Sequence, residues 1–248
     1  MGAQHNHKKK QAANTGTTAA TPAPVDSTPT GPTFVSRGGH KLDHALKEFG
    51  LDIRGKLCAD LGCSTGGFSD CLLQAGAARV FSVDTAYGIL AWKLRKDPRV
   101  TVMERTNALH AAIPAGGVDV VVADLSWTPQ RLILPVAAKW LAGETSAPRF
   151  LISLIKPHYE LKDRDANAVP EGGVLPDAEA EQIALGMAEF LAPLLMQHGF
   201  AWKGLTQSPI RGGAHGKGKE GTGNLEWVAL LERAASDASP AGSPTNNS

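Results

Sequence analysis

Asp60-Leu61-Gly62-Cys63-Ser64-Thr65-Gly66-Gly67 closes the apolar run 56–60 and opens a helix-like run over 68–75. A strand, a glycine-rich turn and a helix start, in that order, make a nucleotide pocket. Gly62 and Gly66 can take positive φ or let a ligand approach the backbone where a Cβ would clash. The amino end of the helix offers unpaired N–H groups to the ligand's polar end. The next strand-like run, Arg79-Val-Phe-Ser-Val-Asp84, ends in a carboxylate that can accept both hydroxyls of a ribose. Turn and acid together suggest an adenosine-containing cofactor.

Spacing selects among such cofactors. A dinucleotide fingerprint starting at Gly62 requires glycine at positions 64 and 67, and position 64 is Ser64, so the turn fails at the glycine that admits a pyrophosphate. Aspartate two residues before the first glycine, with glycines at 62, 66 and 67, is similar instead to the first motif of S-adenosylmethionine-dependent methyltransferases. There the loop holds the methionine end and the acid holds the ribose.

Outward from the turn, strand and helix patterns alternate over 80–84, 90–95, 100–103, 118–124, 132–141 and 150–155. This alternation predicts a parallel sheet covered on both faces, with chemistry at the carboxyl ends of the strands. Asn107 follows the third strand, as an adenine contact or a turn former; Asp124 follows the fourth and Lys156 the fifth. Residues 157–176 read as a polar connection, either a substrate lid or a mobile loop. Asp177 then caps a long helix with Glu179 and Glu181 in its first turn, bent at Pro193 and stopped at Gly199. Two last strands are expected over 200–206 and 224–231. The loop joining them carries Arg211, Lys217 and Lys219, either laid along RNA phosphates or simply exposed. Before the turn, Leu42, Ala45, Leu46 and Phe49 predict a helix ending at Gly50. Lys41 lies off that apolar stripe at the helix start, where a cation is disfavoured unless an anion is close.

Composition narrows the class. The 248 residues are 42% apolar, enough for one good core. A formal net charge of +1 neither requires nor excludes nucleic acid. Cys58, Cys63 and Cys71 match no common zinc spacing, and their odd number argues against a full disulfide framework. They read as reduced core cysteines of a cytoplasmic protein, and no metal is assigned; His5 and His7 stand in no ligand pattern. No apolar stretch approaches the roughly 20 residues that span a bilayer, and no stable membrane association is expected. Residues 1–32 and 235–248 are low-complexity and read as disordered tails around one domain over 33–234. Oligomeric state is not legible.

From 34 to about 231 the chain resembles the TlyA-like (hemolysin A) branch of the FtsJ-like ribose 2′-O-methyltransferases of ribosomal RNA. The resemblance rests on Val-Ser-Arg-Gly-Gly-His-Lys-Leu at 35–42, Asp-Leu-Gly-Cys-Ser-Thr-Gly-Gly-Phe-Ser-Asp-Cys-Leu-Leu at 60–73 and Trp-Lys-Leu-Arg-Lys-Asp-Pro-Arg-Val at 92–100. Glu-Arg-Thr-Asn at 104–107, Leu-Ile-Lys-Pro at 154–157 and Gly-Asn-Leu-Glu at 223–226 complete it. It implies a Rossmann-like α/β fold with a mostly parallel seven-stranded sheet, helices on both faces and an antiparallel last strand. It implies S-adenosyl-L-methionine as cofactor, ribosomal RNA or a ribosomal subunit as partner, and a catalytic tetrad of Lys41, Asp124, Lys156 and Glu226. The expected cofactor contacts are Asp60, Gly62, Ser64, Thr65, Gly66, Gly67, Phe68, Asp84, Asn107 and Asp124. The expected RNA contacts are Arg37, Arg211, Lys217 and Lys219. Two departures stand out. The branch usually begins with a small RNA-binding domain where this chain has its low-complexity residues. The branch also favours Asp-Val-Ser-Phe and Pro-Gln-Phe-Glu where this chain has Asp-Leu-Ser-Trp and Pro-His-Tyr-Glu.

The four residues make chemical sense together. A ribose hydroxyl is a poor nucleophile and must be held in line and relieved of its proton. Lys156 either loses its own proton, through burial and the neighbouring Lys41, and acts as base, or stays charged beside Asp124 and Glu226 and stabilises the developing alkoxide. Glu226 stands among apolar Leu225, Trp227, Val228 and Leu230, so it requires a cationic partner. Two other readings remain: a non-catalytic RNA-binding or ribosome-assembly protein that keeps the fold, and a hemolysin-like membrane-active protein. For the latter the chain offers no spanning or strongly amphipathic basic segment.

Overall fold

A computed structural model describes Met1 and residues 33–143, 147–212 and 223–233. The low-complexity stretches 2–32 and 234–248 lie outside the described residues. Seven strands alternate with helices: α1 (Gly38–Glu48), β1 (Leu57–Leu61), α2 (Gly67–Gln74), β2 (Arg79–Val83), α3 (Trp92–Arg95), β3 (Val100–Met103), β4 (Val120–Ala123), α4 (Gln130–Trp140), β5 (Arg149–Ile155), α5 (Pro157–Arg164), α6 (Asp177–Leu185), α7 (Met187–Gln197), β6 (Phe200–Gln207) and β7 (Trp227–Arg233). They form one sheet in the order β3-β2-β1-β4-β5-β7-β6. All neighbours run parallel except β7, which is antiparallel to β5 and β6. The direction of winding reverses between β1 and β4, and that reversal leaves a crevice at the carboxyl ends of these strands.

Side-chain alternation along the strands divides the core into two layers. Ala59, Leu61, Val121, Ala123, Leu151 and Ile155 pack with α4, α6 and α7 on one face. Cys58, Val120, Val122, Ile152 and Leu154 pack with α1, α2 and α3 on the other. The strands therefore read as near-continuous apolar runs, as expected for a sheet covered on both sides. Among the described residues no helix is long and apolar enough to cross a membrane.

Three local expectations are corrected. The connection over 157–176 begins with a helix, α5, in which Pro157 takes the first position, Glu160 lies in the first turn, and Lys162 and Arg164 lie in the last. Its apolar face is almost absent, because only Pro157 and Glu160 are buried, so it carries no helical periodicity. The long helix after 176 is divided at Gly186 into α6 and α7, with Pro193 inside α7 and Pro176, not Asp177, as the capping residue. Finally, β7 starts one residue after Glu226, which places that carboxylate at the mouth of the strand.

Candidate active site

A cavity of about 1160 Å³ opens along the carboxyl ends of β1, β2, β4 and β5. That is above the usual range of about 300–1,000 Å³ for a single small ligand, and leaves room for a cofactor and a nucleotide side by side.

The glycine turn forms its first wall. Gly62 has φ +86, and a Cβ there would stand 2.7 Å from the Asp124 carbonyl oxygen, so only glycine lets the ends of β1 and β4 approach so closely. The turn is pinned by the Gly62 and Cys63 N–H groups donating to the Val83 carbonyl at 2.9 and 3.0 Å. Gly67 and Phe68, at the amino end of α2, border the cavity, with Val83, Ile89, Ala108 and Leu109 as an apolar surface beside them. Asp84 accepts the Ser64 N–H and the Ala86 N–H at 2.8 Å each, one on each carboxylate oxygen. Each oxygen retains a lone pair for a ribose hydroxyl. Asn107 spends its side-chain oxygen on the Leu109 N–H at 2.9 Å, which is the turn-forming alternative, and its amide nitrogen remains on an exposed residue at the cavity edge. Glycine turn, acid at the end of β2 and apolar surface fit the methionine, ribose and adenine parts of S-adenosylmethionine in turn.

Asp60 does not line this cavity. It is completely buried behind the turn, where one carboxylate oxygen accepts the Ser69 hydroxyl at 2.7 Å and the other has no hydrogen-bond partner. Burial raises its carboxyl to about 7, against the lowering effect of the Ser69 hydrogen bonds. Its position in mid-strand, one residue from Leu61 on the opposite face, turns it toward α2 and away from a ligand. Gly66 likewise stands outside the cavity lining; it holds φ +103 against Leu90 and Leu94. Asp60 and Gly66 both support the turn from behind the cavity lining.

The second wall carries two ion pairs. Lys41, on α1, pairs with Glu226 at the entrance of β7; their side chains are only 7% and 4% exposed. This supplies the anion that Lys41 requires and the cation that Glu226 requires. Lys156, where β5 gives way to α5, pairs with Asp124 at the end of β4 at 2.5 Å. All four border the same cavity. Burial works to lower the Lys156 ammonium, but Asp124, through its charge and hydrogen bond, and Glu226 together outweigh it and hold the group above the ordinary lysine range. Of the two roles open for Lys156, the charged one is therefore its resting state.

The outer rim is aromatic and basic. Trp127, with φ +60 and 61% exposure, lies against Tyr159 with ring centroids 4.9 Å apart. Lys162 stands over the Trp127 ring and Lys156 over the Tyr159 ring, at 5.2 and 5.5 Å. Each aromatic stands three residues past its strand-end residue, Trp127 after Asp124 and Tyr159 after Lys156, which is the sequence signal for the pair. Arg37 is exposed at the cavity edge beside α1. Arg211 pairs at the surface with Asp177, through two bonds of 2.9 and 2.7 Å. Lys217 and Lys219 lie outside the described residues. Cys58, Cys63 and Cys71 are buried free thiols, all raised by burial. Among the described residues no cluster of histidine, cysteine and acidic side chains is placed to hold a metal ion.

Comparison with known proteins agrees with this layout. The family model described as FtsJ-like methyltransferase matches residues 34–215. A candidate rRNA methyltransferase of Bacillus subtilis, YqxC, is 40% identical over 202 residues, which cover 80% of this chain and 65% of YqxC. The 16S/23S rRNA (cytidine-2′-O)-methyltransferase TlyA of Mycobacterium tuberculosis is 39% identical over 200 residues, covering 80% of this chain and 68% of TlyA. The chain thus spans about two thirds of the length of these relatives. Among solved structures, a hemolysin candidate from Lactococcus lactis superposes with a TM-score of 0.68 at 38% identity, over 82% of this chain and 89% of the other.

Proposed function

The chain belongs to the FtsJ-like methyltransferase family, in the branch of TlyA, YqxC and hemolysin A, and from that premise we propose that it transfers a methyl group from S-adenosylmethionine to a ribose 2′-hydroxyl of ribosomal RNA in the cytoplasm. One observation carries the reading: two lysine–carboxylate pairs, Lys41–Glu226 and Lys156–Asp124, face one cavity beside a glycine turn built for an adenosine cofactor.

S-adenosylmethionine supplies an electrophilic methyl group. Gly62, Ser64, Thr65 and Gly67 would hold its methionine end, Asp84 its ribose, and Ile89 and Leu109 its adenine. The residues of this chain then act on the RNA hydroxyl. The Lys156 ammonium donates a hydrogen bond to the 2′-oxygen and stabilises negative charge as it develops there, a pre-organised electrostatic effect. Asp124 fixes the direction of Lys156. Lys41, held by Glu226, adds a second cation at fixed distance, and the hydroxyl proton leaves to water. Trp127 and Tyr159 offer a stacking surface to the base of the target nucleotide, and Lys162 and Arg37 offer charge to its phosphates.

The test is transfer of labelled methyl from S-adenosylmethionine to ribosomal subunits lacking the modification, comparing the wild-type protein with Lys156→Ala. The expected result is label on RNA with wild type only, in a linkage that resists alkaline hydrolysis, and unchanged cofactor binding by the variant. Methyl groups mapped to a base, or normal turnover by Lys156→Ala, would overturn the reading.

A further inference from the structure

Asn224 stands outside the tetrad, yet both ends of its buried amide are committed to one neighbouring segment. Its Nδ2 donates to the Gly173 carbonyl at 2.7 Å, and its Oδ1 accepts the Leu175 N–H at 2.8 Å. Its own carbonyl accepts the Gly212 N–H at 2.9 Å, and two residues on the Glu226 carbonyl accepts the Ser208 N–H at 2.9 Å. Gly173, Val174, Gly212, Gly223, Asn224 and Glu226 all border the cavity. Three stretches distant in sequence, 172–175, 208–212 and 223–226, therefore make one wall, and the Asn224 amide fastens the first to the third. Leu175, almost fully buried in the core beneath, gives the wall a fixed base. Arg211 adds a second tie, from Asp177 to the Gly223 carbonyl at 3.2 Å.

We propose that Asn224 is a positioning residue for methyl transfer: it locks the 172–175 wall to Glu226, and through Glu226 to Lys41, so that the nucleotide side of the cavity and the tetrad keep one geometry. This rests on the methyl-transfer reading above. The site takes a donor to the Gly173 carbonyl and an acceptor from the Leu175 N–H on two separate atoms, which asparagine's amide supplies and a single serine or threonine hydroxyl oxygen does not. Aspartate keeps the acceptor and loses the donor; alanine loses both.

The experiment compares the full chain with Asn224→Asp and Asn224→Ala, at a temperature below all three unfolding transitions. It measures S-adenosylmethionine affinity, kcat and KM on unmodified ribosomal subunits, and hydrogen exchange at the Leu175 amide. Displacement of reacting groups by about 1 Å can cost on the order of 100-fold in rate. The expected result for Asn224→Ala is a kcat lower by roughly 30-fold at saturating RNA, cofactor affinity within about twofold of wild type, and Leu175 exchange faster by about tenfold or more; Asn224→Asp lies between and decides the matter should the alanine variant not fold. A purely structural asparagine would lower the unfolding temperature and leave kcat of the folded variant unchanged, and that result overturns the proposal. Unchanged Leu175 exchange overturns it as well. If wild type methylates no RNA, the methyl-transfer reading fails on its own, and the exchange result still decides whether Asn224 holds the wall.

Discussion

Substitution Glu226→Gln removes one charge from a pair whose side chains are 7% and 4% exposed, and leaves the largely buried Lys41 ammonium without its counter-charge. Breaking a buried pair by removing one partner costs about 3–5 kcal/mol. For a domain of about 150–250 residues, each kcal/mol lowers Tm by about 2–4 °C, so the variant is expected to melt about 10 °C below wild type. Lys41→Met leaves the carboxylate stranded instead and is expected to cost a similar amount. The double variant Lys41→Met/Glu226→Leu removes both desolvation penalties at once and restores stability to within about 1 kcal/mol of wild type, because a buried pair replaced by apolar groups of similar volume is close to neutral. Methyl transfer stays lost in all three, since stability and catalysis draw on the pair differently. Urea unfolding followed by the fluorescence of the buried Trp140 and Trp227, with label transfer in parallel, reads both quantities. Losses below about 1 kcal/mol in the single variants, or a double variant as unstable as the sum of the singles, would refute the buried-pair reasoning.

Two pH experiments probe the other titratable groups. With Lys156 held above the ordinary lysine range by Asp124 and Glu226 in spite of its burial, kcat is expected to stay flat between about pH 7 and 9; a rise of about tenfold per unit would show that Lys156 must first lose its proton. Asp60 and Glu160 are both raised by burial to about 7, from ordinary values of 3.8 and 4.5. The folded protein therefore keeps protons that the unfolded chain releases near pH 4. Stability from these groups is greatest at the acid end, declines as pH rises through about 4 to 7, and is level above. Denaturation midpoints at pH 5 and 8 should show this decline in wild type and not in Asp60→Asn/Glu160→Gln; an equal slope in both would remove the two carboxyls from the account.

The turn at 60–67 and the alternation around it were legible in the chain because both depend on local order. Short, near-continuous apolar runs make strands buried on both faces, and glycines admit the backbone angles of the turn. The antiparallel β7 came from resemblance, and no periodicity reveals strand direction. Helix α5 was hidden because it buries only Pro157 and Glu160 and so lacks an apolar stripe. Asp60 shows the limit of motif reading: its spacing from Gly62 is that of a cofactor contact, yet its strand position turns it into the protein behind the turn.

By itself the sequence determined that an α/β sheet presents a glycine turn and polar residues at its strand ends, since strand ends, glycine turns and the residue types beside them are written locally. Only the tertiary structure decided how those residues are paired. Lys41 and Glu226 lie 185 positions apart, and their meeting requires β7 to enter the sheet next to β5 with α1 packed on the same face. The protonation of Lys156 and the protonation of the buried Asp60 are decided the same way. Each depends on the sum of burial and neighbouring charge at a point in space, and that sum exists only once distant segments have been brought together.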